Sequence, residues 1–358
     1  MDSKDLIKKL QDIRKTKVIT YITSDRPGIT SMIDDSMLRE LYDHLKPIKG
    51  NDVDLFLYSR GGASIVAWGV VNLVREFSKK FCVIVPYRAH SCATAISIGA
   101  DKIIMGRLAE LGPVDPIVSS VKKGERLDVS VEDMSGYINF LKNKFEIKAE
   151  DQSIKAFEKL TDEASPLTLG RAYREYIKAR EDTKKLLSFA YEDKQIDKIV
   201  EILVEKLYSH YHLINRKEAQ EIIGLNIEKA DENLEQVMWN LYLSYESELN
   251  FKDPYEDKIP DADKTFIDVP LAVIESENLK SQKIARQWYS ATQFPENSKI
   301  IQINQQAGIL LPNLQILAIS PQPGINFSCI DNKIFQKREV VLWQQVENKT
   351  DMVKEIKQ

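Results

Sequence analysis

The apolar positions of the first 110 residues fall in short continuous runs near 17–23, 53–58, 81–86 and 102–106. Runs of this length, rich in β-branched side chains and bounded by turn residues, predict buried strands. Between them, residues 35–46, 64–78 and 91–99 carry the spacing or the small-residue composition of helices. The alternation predicts parallel α/β units. From Val131 to Asn250 the pattern is almost wholly helical, with apolar residues three and four apart in "VEDMSGYINFLKNKF", "LTLGRAYREYIKAREDTKKLLSFAYE", "QIDKIVEILVEKLYSH" and "NLEQVMWNLYLSYESELN". The charged positions between them read as solvated faces. The turn-rich "NFKDPYEDKIPDADK", residues 250–264, breaks that pattern. Beyond it, "TFIDVPLAVIES", "SKIIQINQQAGILL", "LQILAISPQPGINFSCI" and "REVVLWQQVE" predict strands. The expected organisation is residues 1–250 as one unit with a helical extension, a linker at 251–264, and a separate β-rich domain at 265–358 with no assignable chemistry.

One junction carries a chemical signal. "KFCVIVPY" predicts a buried strand closed by Pro86, and "RAHSCATAISIGAD" then sets Ser91 at the start of a small-residue helix ending at Gly99. A hydroxyl there lies beside unpaired backbone N–H groups and the positive end of the helix dipole, which stabilise an anion. The plainer reading is an N-cap serine satisfying one of those N–H groups. Some thirty residues upstream, "DVDLFLYSRGGASIVAWGVVNLVREFS" is a strand, the pair Gly61 and Gly62, and a helical stretch. Paired glycines at such a turn let the backbone approach a ligand and aim N–H groups at it, or merely ease packing. Together the two junctions supply a nucleophile and an oxyanion hole, the minimum for acyl transfer.

The stretches "DLFLYSRGG", "VIVPYRAHSCAT" and "GADKIIMGRLAELGPVDP" resemble the serine dehydrogenase proteinase family, related to the ClpP and SppA peptidases of the ClpP/crotonase superfamily. The likeness is strong over roughly residues 50–120, thins through "SPLTLGRAYREYIKAR" and "LYSHYHLINRKEAQEIIGL", and ends near residue 260. It implies an α/β fold with a ClpP/crotonase-like spiral core, a helical extension and a small β-rich C-terminal domain. It also implies Ser91 as nucleophile, Gly62 and Cys92 as oxyanion N–H donors, a polypeptide substrate and a homo-oligomer. The apolar positions around Val66, Val70 and Leu73 would either contribute to the oligomer surface or cover the helix's own sheet.

A serine nucleophile needs a base, and the chain has four histidines: His44, His90, His210 and His212. His90 adjoins Ser91, where neighbouring side chains diverge, and His44 sits among charged residues at a helix end and reads as surface. In "YSHYHLI", His210 and His212 share a face if the segment is extended. The resemblance supplies the chain order Ser, Asp, His, which allows His210 or His212 as base and Asp115 of "GPVDP" as the orienting carboxylate, with His210 preferred. Asp115 can also be a turn residue before proline, and Asp101 is a second carboxylate. The SppA-like alternative uses a lysine, for which Lys142 and Lys144 are nearest after the core motifs; it would need a pKa lowered by burial. His-x-His can pair on a metal, but no further Cys or His lies nearby in sequence, so no metal and no cofactor is expected.

Composition narrows the setting. A net charge of -4 and pI near 5.8 argue against bulk nucleic-acid attraction. Three cysteines, Cys82, Cys92 and Cys329, form no secreted disulfide framework; Cys82 and Cys92 are expected to be buried. Neither a signal-peptide core nor an apolar stretch near 20 residues appears, so a soluble cytoplasmic protein is expected. Two other classes share these features: an acyl-CoA enzyme of the same fold, using the oxyanion hole on a thioester, and a catalytically weak scaffold.

Overall fold

The structure, a computed structural model, describes residues 2–256 apart from 49, 117, 123–124, 130, 132–135, 138–139, 142–149, 208 and 210–211. Beyond these it describes 266–293, 299–303, 306–310, 316–318, 325–330 and 333–346.

The expected strands form the centre of one sheet. β1 (Lys17–Thr23), β4 (Val53–Tyr58), β5 (Phe81–Val85) and β7 (Lys102–Met105) lie side by side and parallel, while β2 (Asp25–Arg26) and β3 (Ile29–Thr30) make a small hairpin after β1. Their runs are continuous rather than alternating because both faces are covered. Ile19, Tyr21, Leu55, Leu57, Val83 and Val85 face one core with Val66, Val70, Cys92 and Ile96. The residues between them, Val18, Ile22, Phe56, Tyr58 and Ile84, face a second core with Leu6, Leu10, Met238 and Tyr245. The first core is thus built by α2 (Ser36–Leu45), α3 (Ser64–Phe77) and α4 (Cys92–Ile98). The second is built by α1 (Ser3–Arg14) and a long helix, Glu232–Glu248. Val66 and Val70 of α3 are buried against the sheet, so that face covers its own strands; Ile65 and Trp68 are the large apolar side chains that α3 exposes.

A second, three-stranded sheet stands at the carboxyl ends of these strands. It joins β6 (Arg88–Ala89) to β8 (Glu110–Leu111), and β8 to β11 (Ile214–Asn215). Between β8 and β11 the chain forms a hairpin, β9 (Val118–Lys122) and β10 (Glu125–Val129), then α5 (Glu150–Glu163), α6 (Pro166–Leu187) and α7 (Asp193–Glu201). Most of the helix expected over 131–145 lies outside the described residues.

The large sheet runs across the expected boundary at 251–264. β12 (Ile227–Lys229) closes one side beside β7. On the other side β13 (Phe266–Glu275) runs antiparallel to β1, with Thr20 opposite Glu275 and Thr23 opposite Ala272. β14 (Lys280–Gln293) pairs with β13, and a final strand, Lys333–Gln345, pairs with β14. These strands and Ile325–Ile330, which pairs with the final strand, extend the α/β sheet, while Lys299–Ile303, Gln306–Leu310 and Ile316–Ala318 pair among themselves in a three-stranded sheet. The physical reason is that β1 would otherwise be an uncovered edge with unpaired N–H and C=O groups. Residues 257–264 of the expected linker lie outside the described residues.

Candidate active site

Parallel β4 and β5 end side by side, which brings the turns after them together. The Ser59 N–H donates to the Arg88 carbonyl and the His90 N–H to the Ser59 carbonyl, each at 3.0 Å. Ser59 is buried; its hydroxyl accepts from Thr23 Oγ1 at 2.8 Å and from the Gly61 N–H at 3.1 Å. This lock sets Gly61 directly against Ser91. A β-carbon on Gly61 would lie 2.8 Å from Ser91 Cβ, and its φ of +112° is one that glycine alone holds without strain. Gly62 is hemmed in from the other side by Ile33, whose N–H donates to the Gly61 carbonyl at 2.8 Å and whose carbonyl accepts from Ala63 N–H at 2.9 Å.

Ser91 itself stands immediately before α4 with φ 50° and ψ -115°. That conformation is costly for a residue with a β-carbon and persists only where the surroundings impose it. The cap reading fails here, because the Ser91 side chain makes no capping bond to α4. Of the two expected oxyanion donors, Gly62 follows Gly61 in the glycine turn, and Cys92 is the first residue of α4, whose N–H belongs to the unpaired first turn. The Cys92 thiol is buried, pushed up to about 12 by desolvation, and donates to the Ala63 carbonyl at 3.2 Å, tying α4 to the glycine turn. As a protonated thiol it does not compete with Ser91 as nucleophile. Cys82 is only half-buried, short of expectation. Gly99 ends α4 as expected, but in ordinary helical geometry; glycine is needed because a β-carbon would meet Val71 at 2.6 Å.

Asp115 is buried in the loop after β8, where the neighbouring Val114 N–H donates to the Leu203 carbonyl at 3.0 Å. The loop begins at Gly112, packed on the His90 side chain, and its N–H donates to Thr94 Oγ1 at 3.0 Å. Thr94 Oγ1 in turn donates to the Ala89 carbonyl at 2.6 Å. Thr94 thus links the start of α4 to the loop carrying Asp115. Sequence reasoning missed it, although a threonine three residues after the serine among alanines was a usable signal.

The histidines sort differently from expectation in one case. His44 is fully buried, not a surface residue: Nδ1 lies 2.9 Å from Ser276 Oγ and Nε2 3.3 Å from Ser281 Oγ, both on the C-terminal side of the chain. Burial lowers its pKa to about 4. His90 has Nε2 3.3 Å from Glu110 Oε1. Burial depresses its pKa, and the Glu110 charge opposes this only in part. His210, and the lysine alternatives Lys142 and Lys144, lie outside the described residues. His212 is described, and its Nε2 lies 2.8 Å from Glu218 Oε1. The β11–β8–β6 sheet places Ile214, two residues after His212, two strands from Ala89, about 10 Å at ordinary strand spacing. Asp101 is committed elsewhere. Its carboxylate accepts from Arg75 at 3.0 Å and from the Phe81 N–H at 2.9 Å, at the end of α4 remote from Ser91. That corrects it as an orienting carboxylate.

A profile of the ClpP-like SDH-type serine proteinases matches residues 1–271, about three quarters of the sequence. The chain belongs to this family, and its fold is a ClpP-like mixed α/β fold. Among curated proteins it is similar to two uncharacterized proteins of Methanocaldococcus jannaschii. One is 26% identical over 197 residues, 55% of this chain and 59% of the relative; the other is 36% identical over 64 residues, 18% and 22%. The chain thus spans less than two thirds of either relative. Among solved structures it is similar to a membrane-bound stomatin-specific protease variant in complex with a substrate peptide, 14% identical, with TM-score 0.35 over 61% of this chain and 78% of that one. It is also similar to ClpP1 from Listeria monocytogenes, 12% identical, with TM-score 0.33 over 64% and 99%. Among the described residues no helix is long and apolar enough to cross a membrane.

Proposed function

We propose that the protein is a serine peptidase that cleaves polypeptides through an acyl-enzyme. Ser91 Oγ attacks the peptide carbonyl, and His210 takes the hydroxyl proton and returns it to the leaving amine. Asp115 orients the imidazole, and the N–H groups of Gly62 and Cys92 hold the tetrahedral oxyanion. The observation that carries this reading is Ser91 itself: a strained backbone at the start of a helix, a hydroxyl unused for capping, and a glycine turn pressed against it. A serine with a merely structural role has no use for that strain. Burial of Asp115 in the loop that packs on His90 supports its orienting role. The family membership supports a polypeptide substrate and a homo-oligomer.

The test is turnover of an unfolded polypeptide such as casein by the full chain and by Ser91→Ala. The variant should keep the wild-type fold by circular dichroism and lose turnover by about 10⁴-fold or more, as removal of a nucleophile does. Full turnover in the alanine variant refutes the reading.

A further inference from the structure

The strands after residue 271 lie beyond the family match, yet two of their side chains reach the wall of the Ser91 site. Lys283 of β14 and Trp343 of the final strand are directly opposite one another in the register, with the Lys283 ammonium 6.0 Å from the Trp343 ring centroid. Lys283 is buried and donates to the Asp34 carboxylate. Trp343 Nε1 donates to the Ser36 hydroxyl at 2.9 Å. Ser36 closes the group on itself, since its N–H at 3.1 Å and its hydroxyl both donate to Asp34 Oδ1. The residue before Asp34 is Ile33, whose N–H and carbonyl bind Gly61 and Ala63 on either side of Gly62.

We propose that Lys283 and Trp343 are positioning residues for the oxyanion loop: they fix residues 34–36, and through Ile33 they fix the direction of the Gly62 N–H. The proposal rests on the reading of Ser91 and Gly62 given above. The chemistry favours a firm anchor. A buried ammonium is costly unless paired, so Lys283 holds Asp34 in one place. The Trp343 indole has one donor, and its contact selects one placement of Ser36. An oxyanion donor works only within about 2.7–3.1 Å of the developing charge, so a displacement near 1 Å costs roughly 10²-fold.

The experiment compares full-length wild type, Lys283→Met, Lys283→Arg and Trp343→Phe for peptide turnover, for the rate of fluorophosphonate adduct formation at Ser91, and for melting temperature. Lys283→Met and Trp343→Phe should lower kcat by about 10-fold or more with KM within about twofold, the pattern of an interaction made in the transition state. Adduct formation should slow in parallel, and Lys283→Arg, which keeps a donor for Asp34, should recover most of the rate. Should Lys283→Met fail to fold, Trp343→Phe decides the matter, because it keeps an aromatic face toward Lys283 and removes the indole N–H donor. An active wild type whose folded variants retain kcat, or lose only KM or melting temperature, overturns this proposal alone. A wild type with neither turnover nor a Ser91 adduct overturns the peptidase reading and this proposal with it.

Discussion

A β-carbon on Gly62 would stand 2.1 Å from the carbonyl oxygen of Ile33. The obstacle is backbone held by hydrogen bonds at 2.8 and 2.9 Å, so it cannot swing aside as a flexible side chain would. Gly62→Ala must therefore push the loop away from Ile33 and turn its N–H off line. We expect a loss of about 1–3 kcal/mol in urea unfolding, and a fall in kcat of about 10²-fold or more from the misplaced donor. An alanine variant of unchanged stability and rate would show that the loop is not locked as described.

Thr94 bridges two backbone groups through one hydroxyl, donating to Ala89 and accepting from Gly112. Thr94→Val keeps the shape and leaves the Gly112 N–H buried without its partner, which costs about 1–3 kcal/mol. Thr94→Ser keeps the hydroxyl and should recover most of that loss. The check is the pair of chemical-denaturation curves; equal stability of the valine and serine variants would remove Thr94 from the framework.

The central βαβ units were legible because strands buried on both faces are written as unbroken apolar runs, as in Val83, Ile84 and Val85, and because the glycine pair and Ser91 mark the turns between them. β14 was not legible. Its sequence "KSQKIARQWYSATQ" reads as polar, yet Lys283 and Gln287 are buried through Asp34, Tyr255 and Glu339. Polar residues that find distant partners look like surface until the partners are known. His44 failed for the same reason: the two serines that satisfy its ring lie 232 and 237 residues further on. The hairpin at β9 and β10 was hidden by the charged composition of "KKGER", which breaks the apolar pattern. Asp101 read as a second carboxylate because it follows the Ser91 helix in sequence, but α4 carries the chain away to Arg75 and Phe81, which hold its carboxylate.

His44 predicts a pH dependence with a definite sign. Its folded pKa is about 4, below the usual value near 6.5 for an unfolded histidine. Between these values the unfolded chain binds a proton that the native protein excludes, so the contribution is complete above about pH 6.5 and is lost as the pH falls toward 4. The loss amounts to roughly 3 kcal/mol for such a shift. Urea unfolding at pH 7 and pH 4.5 should show it in the wild type, and a smaller pH difference in His44→Gln. An equal difference in both proteins would assign the acid sensitivity to other groups.

The two histidines of "YSHYHLI" should separate on substitution. His212 is already engaged with Glu218 at 2.8 Å, which suits a residue that holds its segment in place. His210→Gln is expected to lower kcat by about 10²–10⁴-fold, the usual contribution of a general base. His212→Gln should stay within about 10-fold of wild type, and the rate of each is read under saturating peptide. A collapse of kcat in His212→Gln with His210→Gln active would exchange their roles.

Ser91 as the nucleophile is tested most directly by reaction of the full-length protein with a fluorophosphonate, followed by intact mass and peptide mapping. A hydroxyl activated by a base and facing an oxyanion hole is phosphonylated where ordinary serines are not. One adduct per chain is expected, on Ser91, formed by the wild type, absent from Ser91→Ala and slowed in Gly62→Ala. A folded wild type that forms no adduct, or an adduct that persists at another serine in Ser91→Ala, would contradict Ser91 as the nucleophile.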